Sequence, residues 1–157
     1  MTGDGEHALA YLVDEVLRTH GRLLAANGDL AADEGLTGAQ VLVLTAVVRA
    51  ERPPTVPQIG RSLGHTRQSV QRLVDALVAR GFVELAGNPD HKRAPLLLAT
   101  ADGRAAQRRV DRKSQSWMAR VSEGIAPGDV GTATKVLHTL RARLEADAAR
   151  TSSRHRA

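Results

Sequence analysis

Arg67, Gln68, Ser69 and Arg72 lie close together in the sequence, and their side chains are of the types that hydrogen-bond to nucleic-acid bases. An arginine can pair two donors with guanine, and a glutamine can pair with adenine. A serine hydroxyl can contact either a base or a phosphate. Presented on one face of a helix, such side chains could read a DNA sequence, and the elements around them decide whether they share a face.

Two short helices are predicted around this group. Thr55 and Gln58 have the spacing of a capping box, in which the glutamine side chain returns to the backbone amide of the capping residue. Gly64 would end this first helix in the left-handed conformation. Thr66 can cap a second helix, which Gly81 would stop.

The second helix, predicted to run to Arg80, has an apolar stripe and a polar face. The stripe repeats at i, i+3, i+4 and i+7 and contains Val70, Leu73, Val74 and Leu77. The polar face contains Gln68, Gln71, Arg72 and Asp75, with Arg67 and Ser69 beside it. Two helices of this kind resemble a helix-turn-helix, whose second helix enters the major groove N-terminus first. An ordinary helical hairpin with a solvated outer face would show the same pattern, so both interpretations stay open here.

A β-hairpin is predicted directly after the second helix. Residues 82–85 (FVEL) and 96–98 (LLL) predict its strands, and residues 86–93 (AGNPDHKR) predict the turn between them. Pro95 cannot donate to a strand ladder, which places the start of the return strand at an edge. The tip would carry three cationic or titratable side chains, His91, Lys92 and Arg93. Cations there can reach phosphates or a minor groove, so the hairpin has the character of a wing and favours DNA binding.

The run from Val56 to Arg104 resembles the winged helix-turn-helix core of the MarR family of transcriptional regulators. The matching motifs are IGRSLG, TRQSVQRLVDALVARGFV, the wing, and the T-x-x-G-R step into the next helix. They cover about a third of the chain. The resemblance implies a homodimer that binds a pseudo-palindromic operator, acts as a repressor and is a candidate for release by a small molecule. It does not identify that molecule, the operator or the regulated genes.

Two positions depart from the family pattern. The family wing commonly carries Asp-x-Arg, but here His91 stands at the aspartate position, with Asp90 one step earlier. Arg93 matches the family arginine, and Asp90 is the residue expected to orient it. Ala99-Thr100 replaces the usual Leu-Thr before the next helix. The predicted DNA contacts are His65, Thr66, Arg67, Gln68, Ser69, Gln71, Arg72, His91, Lys92 and Arg93, with base reading assigned to Gln68 and Arg72.

Length and composition restrict the class of protein. A chain of 157 residues is one domain, or one domain with arms, and its 2% aromatic content requires a core of Leu, Val and Ala. The net charge of +5 favours a polyanionic partner, without separating DNA, RNA and acidic membranes. The absence of cysteine excludes disulfides, thiol redox sensing and cysteine zinc sites. No apolar run approaches a membrane span, and a cytoplasmic protein is expected.

Four further helices are predicted outside the two described. The first runs from His7 to about Asn27 and ends near Gly28, after loose residues 1–6. A second capping box at Thr37 starts a helix to about Ala50. The predicted inward residues of that helix are Val41, Leu42, Leu44, Thr45 and Val48. A long helix follows from Thr100 to about Gly124, and Pro127 permits a last one.

The fold class expected from these elements is mainly α with a small β-wing. Residues 1–28 would form an N-terminal dimerisation helix, 29–100 the winged helix-turn-helix lobe and 101–150 the C-terminal dimerisation helices. Residues 151–157 would be a disordered basic tail. The dimer bundle is implied by the resemblance. An apolar stripe on the first helix would equally suit a helix that only covers a core.

Other chemistry finds little support. The six histidines form no metal-binding pair at helical spacing, and no catalytic triad or nucleotide loop is present, so we expect no metal, cofactor or enzymatic activity. His20 lies on the apolar face of the first helix and is a candidate ligand-binding residue, although a satisfied, half-buried histidine is the commoner case. The long helix carries the cations Arg104, Arg108, Arg109, Arg112, Lys113 and Arg120. These could bind phosphate or RNA, but a solvated face explains them more simply.

The sequence-specific regulator therefore ranks first among the functions considered. A non-specific DNA-organising winged helix without an effector is the alternative, because it needs the same fold and charge. A winged helix that binds only proteins ranks third, since the net charge and the Arg/Gln face count against it. An enzyme ranks last.

Overall fold

The computed structural model describes the backbone of residues 2–154 and the side chains of residues 5–151. The helices and strands are α1 (Thr2–Leu30), a 3₁₀ turn (Ala32–Glu34), α2 (Gly38–Val48), α3 (Val56–Leu63), α4 (Arg67–Ala79), β1 (Val83–Ala86), β2 (Leu96–Ala99), α5 (Ala101–Val121) and α6 (Pro127–Arg154). This confirms the expected fold class, mainly α with a small β-wing. The described chain forms two compact units, one ending at Ser116 and the other beginning at Trp117. No helix among residues 2–154 is long and apolar enough to cross a membrane.

The helix-turn-helix forms where the capping residues predict it. The Gln58 side-chain oxygen accepts from the backbone N–H of Thr55 at 2.7 Å, at the start of α3. Gly64 ends α3 with φ 68°, and Gly81 follows α4 with φ 72°. The Thr66 hydroxyl accepts from the N–H of Ser69 at 3.2 Å. Local hydrogen bonds and two left-handed glycines thus fix where both helices begin and end.

The core of the first unit surrounds α2, which contacts α1, α3, α4 and β2. Val70, Val74 and Leu77 of α4 are fully buried against it, as the apolar stripe predicts, whereas Leu73 of the same stripe is half-buried. The expected inward face of α2 was partly wrong: Val43 and Val47 are buried, whereas Leu42, Thr45 and Val48 are half-buried. A helix with neighbours on several sides buries residues all round and has no single inward stripe.

The first helix is longer than the sequence indicates. It begins at Thr2, so residues 2–6 are helical rather than loose, and it continues through Gly28 to Leu30. Gly28 does not end the helix but lies where α1 passes α2, because a Cβ added there would lie 3.4 Å from the Gly38 nitrogen. A Cβ on Gly38 would come within 1.9 Å of the Leu24 carbonyl oxygen. Gly38 therefore permits a close approach of two helix backbones, whereas a Cβ on Gly28 would make an ordinary van der Waals contact.

Other predicted boundaries shift by a few residues. The helix α2 ends at Val48 instead of Ala50, and α5 ends at Val121 instead of Gly124. The expected disordered tail is helical as far as Arg154, because α6 continues through it. Residues 155–157, the rest of that tail, lie outside the described part of the chain.

The two strands form an antiparallel hairpin in which Val83 pairs with Ala99 and Ala86 with Leu96. The base of this hairpin has a third partner. The N–H of Leu97 donates to the Pro54 carbonyl at 2.8 Å, and Thr55 forms a bridge to Leu96. The wing is therefore fastened to the segment that enters α3.

Candidate DNA interface

The outer face of α4 presents the predicted base-reading side chains. Arg67, Gln68 and Arg72 are exposed, and they lie opposite the buried Val70 and Val74. Within the part of the chain that the structure describes, no side-chain hydrogen bond or ion pair engages these three residues. Their donors and acceptors are therefore available to an external partner, on a helix that the core holds in place.

Three other predicted contacts on this element already have structural roles. Gln71 is half-buried, and its side-chain nitrogen donates to the Asp75 carboxylate at 2.8 Å. The Thr66 hydroxyl caps α4 through the N–H of Ser69, and Ser69 itself is half-buried. A base contact by the Gln71 side chain or the Thr66 hydroxyl would have to share or replace these bonds, whereas the bond of Ser69 uses only its backbone N–H.

His65 lies in the tight turn between α3 and α4. Its N–H donates to the Gly60 carbonyl at 2.9 Å, and a Cβ on Gly60 would lie 3.0 Å from the His65 carbonyl oxygen. The His65 side chain is half-buried. Its backbone serves the turn, and a phosphate contact by its ring stays a prediction.

The wing tip is organised by Asn88, which the sequence did not single out. Its side chain donates to the Ala94 carbonyl at 2.8 Å and accepts from the N–H of Asp90 at 3.0 Å. The only sequence signal was the Asn-Pro pair, a common turn former. These bonds close the tip and leave His91, Lys92 and Arg93 exposed.

The expected orientation of Arg93 by Asp90 was wrong. Over the described residues, neither side chain takes part in an ion pair or a side-chain-to-side-chain hydrogen bond. The physical reason is that the backbone of Asp90 is held by Asn88, inside the turn. Arg93 is consequently free to adjust to a partner.

The basic helix α5 divides into paired and unpaired cations. Arg109 forms two hydrogen bonds to the Glu34 carboxylate, at 2.5 and 2.7 Å, and Lys113 bonds to Asp33 at 2.5 Å. The Arg109 hydrogen bonds hold the pKa of the Glu34 carboxyl below its ordinary value, against the opposing effect of burial. The Lys113 hydrogen bond likewise lowers the pKa of Asp33. Arg104, Arg108 and Arg112 are exposed as well, and no described residue forms an ion pair or a side-chain hydrogen bond with them.

A second polar group joins α5 to α2. The Thr45 hydroxyl donates to the Gln107 side-chain oxygen at 3.1 Å, and the Gln107 nitrogen donates to Asp111 at 2.9 Å. Arg49 reaches the same Asp111 carboxylate oxygen at 3.1 Å. Gln107 is only 2% exposed, so these bonds satisfy an amide that would otherwise be costly to bury. The amino-terminal part of α5 is thereby fixed to the winged core.

The candidate ligand residue His20 is exposed on α1, not half-buried. A shallow groove on this helix is lined by Glu6, Leu9, Ala10, Val13, Asp14 and Leu17. His20 is not part of that lining, and its role in ligand binding stays a prediction.

The sequence is similar to a known protein family and to two proteins of mycobacteria. A family model described as "MarR family" matches residues 34–94. An uncharacterized protein of Mycobacterium tuberculosis is 34% identical over 139 residues, which are 88% of this chain and 96% of that protein. A protein of Mycobacterium bovis, also uncharacterized, matches to the same extent.

Solved structures with a similar fold include two with bound partners. A mutant MarR from E. coli complexed with operator DNA has a TM-score of 0.70 and 25% identity, over 85% of this chain and 93% of that one. CouR from Rhodococcus jostii RHA1, bound to p-coumaroyl-CoA, has a TM-score of 0.73 and 22% identity, over 85% and 91% of the two chains. With its helix-turn-helix, wing and exposed α4 face, the chain belongs to the MarR family of transcriptional regulators.

Proposed function

We propose that the protein is a sequence-specific DNA-binding repressor that acts as a homodimer on a pseudo-palindromic operator. The observation that carries the proposal is the outer face of α4. Arg67, Gln68 and Arg72 are exposed and unengaged by the described residues, on a helix whose other side is fully buried. Such a helix can enter a major groove without breaking a side-chain contact of these three residues within the protein.

The homodimer is supported by apolar side chains that the single chain leaves uncovered. On α1, Leu17 is 67% exposed and Tyr11 78%. On α6, Leu144 is 62% exposed, and Val130, Val136 and Leu137 are also exposed. Monomers in solution rarely expose so many apolar side chains along whole helices. A two-fold dimer would cover them and would present two recognition helices to half-sites about one DNA turn apart.

A small-molecule effector is part of the proposal. The structurally similar CouR was crystallised with p-coumaroyl-CoA, and the similar E. coli MarR with operator DNA. A ligand that binds one spacing of the two recognition helices better than another would change the affinity for the operator. The proposed role is regulation in the cytoplasm through DNA and ligand binding, without catalysis.

The test is a fluorescence anisotropy titration of the protein with its own upstream DNA. Unrelated DNA of equal length and base composition serves as competitor. We expect the upstream DNA to bind at least a thousandfold more tightly, as specific sites usually do. Equal affinity for both DNAs would reject sequence-specific regulation.

A non-specific DNA-organising protein is the second candidate function. The observation that favours it is the exposed row of Arg104, Arg108 and Arg112 on α5, which form no ion pair with the side chains of residues 5–151, together with the net charge of +5. In the same titration it predicts equal affinities and a steep salt dependence for both DNAs.

A further inference from the structure

The turn Asp33–Gly35, here called the acidic turn, joins α1 to α2 and contacts two distant elements. Its Glu34 carboxylate holds Arg109 of α5 through two hydrogen bonds, and its Asp33 carboxylate holds Lys113. Its Glu34 backbone carbonyl accepts a hydrogen bond from Arg80, at 2.5 Å. The residues that bond to this short turn are therefore 46 to 80 positions away from it in the sequence.

Arg80 is the residue that connects the acidic turn to the recognition helix. It is the C-cap of α4, directly after Ala79. Its guanidinium lies 5.3 Å from the centre of the Phe82 ring, within the range of a cation–π contact. A Cβ on Gly35 would lie 2.9 Å from the Arg80 Nη2 atom, so the glycine leaves the space that the guanidinium occupies. A turn carbonyl, a ring and a glycine thus fix the position of this long side chain.

The contact between Arg80 and the acidic turn lies at the end of α4 that is opposite the predicted base-reading residues. The helix α4 has 13 residues and is about 20 Å long at 1.5 Å per residue. Arg67, Gln68 and Arg72 lie towards its N-terminal end, whereas Arg80 lies at the other. If α4 tilts as a rigid body about its C-terminal end, the side chains at its N-terminal end move. A contact that limits this tilt therefore limits the movement of Arg67, Gln68 and Arg72.

We propose that Arg80 and Glu34 are positioning residues for DNA reading. The acidic turn clamps the C-terminal end of α4 to α5, and the clamp sets the direction in which the N-terminal end of α4 meets the major groove. Arg80 itself does not contact DNA and acts through Gln68 and Arg72. The inference rests on the proposed function for its consequence in DNA binding, but the clamp itself exists without DNA.

The clamp is tested first in the absence of DNA. The chain contains no cysteine, so Gln68→Cys and Gln115→Cys place two unique spin labels, one on α4 and one on α5. Both positions are exposed and lie in the first unit. Labelled protein is diluted with unlabelled protein so that pairs between copies do not contribute. We expect Arg80→Gln to broaden or shift the distance distribution, and Arg22→Gln, an exposed arginine of α1, to leave it unchanged. An unchanged distribution in Arg80→Gln would overturn the clamp, whatever the protein binds.

The consequence for DNA reading is tested by operator affinity. We expect Arg80→Gln to weaken operator binding about tenfold, as when one base contact is lost, with the salt dependence and the affinity for unrelated DNA unchanged. A salt slope lower by about one would instead make Arg80 a phosphate contact and contradict the positioning role. The control Arg22→Gln removes the same charge and should bind like the wild type.

A double-mutant cycle separates positioning from a general loss of stability. If Arg80 acts through Gln68 and Arg72, then Arg80→Gln should have little further effect in a background that carries both Gln68→Ala and Arg72→Ala. Additive losses of affinity would overturn the proposal. Full recovery of the operator affinity of Arg80→Gln at lower temperature would also overturn it, because the variant would then only be less stable. A wild-type protein without operator preference would reject the proposed function, while the spin-label distances would still decide on the clamp.

Discussion

The winged core and α6 use their apolar residues in opposite ways. All buried hydrophobic residues among those described lie between Ala31 and Val110. In α6, no described side chain is buried, and only Leu140 is half-buried. The apolar periodicity of the two regions is nevertheless similar in the sequence. Periodicity in the sequence therefore identifies an apolar face, whereas the structure is needed to see whether other residues of the same chain cover that face.

Disrupting the apolar stripe of α6 should have the largest effect. Val130, Leu137 and Leu144 follow one another at intervals of seven residues, on one side of the helix. We expect replacement of all three by Glu to give monomers or aggregates and to abolish operator binding, because the proposed dimer surface is lost. Sedimentation velocity measures the assembly, and circular dichroism measures the fold of the core.

The control for this experiment lies on the same helix. Thr132→Glu with Thr139→Glu adds charge on the opposite side of α6 and should leave the sedimentation coefficient unchanged. A wild-type protein that sediments as a monomer at micromolar concentration would contradict the dimer. A triple variant that stays dimeric would place the interface elsewhere.

Substitutions at two glycines test whether α1 packs closely against α2 along its whole length or only near Gly38. A Cβ on Gly38 would collide with the Leu24 carbonyl, so Gly38→Ala should destabilise the fold by about 1–3 kcal/mol or more. Gly21, on the same α1, has open space around it, and Gly21→Ala should stabilise by about 0.5–1 kcal/mol. Chemical denaturation of both variants gives the comparison. Equal effects of the two substitutions would show that α1 does not pack closely against α2.

Two surface arginines of the first unit should differ in what they do for DNA binding. Arg72→Ala should reduce operator preference by about 1–3 kcal/mol, since it removes a base contact. Arg93→Ala should weaken operator and unrelated DNA alike and reduce the salt slope by about one. Anisotropy titrations at several salt concentrations measure both. If Arg72→Ala weakened both DNAs equally, Arg72 would be only a phosphate contact.

The smallest effect is expected at the acidic turn, where Glu34 should make the free energy of unfolding depend on pH. The hydrogen bonds from Arg109 hold the pKa of folded Glu34 below its ordinary value, so the ionised carboxylate stabilises the fold at pH values above that ordinary pKa. This stabilisation is lost as the pH falls through the lowered pKa. Glu34→Gln should therefore flatten the acid limb of the unfolding free energy, measured by urea denaturation from neutral pH downwards. A wild-type acid limb in the variant would show that the pair contributes nothing.

Local features of the fold and the site could be predicted from the sequence. The capping bonds of Thr55 with Gln58 and of Thr66 with Ser69 span three residues each, so their spacing is visible in the chain. The wing and the exposed face of α4 follow from similar short patterns. These patterns place Arg67, Gln68 and Arg72 on the surface before any tertiary contact is known.

Contacts between distant segments could not be predicted in this way. Arg109 and Glu34 are 75 residues apart, and nothing in the basic run of α5 marks which cations are paired. Gly28 looks like a helix stop in the sequence, yet α1 continues through it to Leu30. His20 lies on an apolar stripe, yet the chain alone leaves it exposed.

The wing has a consequence for how new binding preferences could be engineered. Its tip is closed by bonds from Asn88 to Ala94 and Asp90, whereas its base is held by the strand pairs and by Pro54. Because the two sets of bonds share no residue, residues 87–95 form a cassette. We expect this cassette to be exchangeable between relatives without refolding the base, so that affinity for the DNA backbone could be tuned while the recognition helix keeps its target.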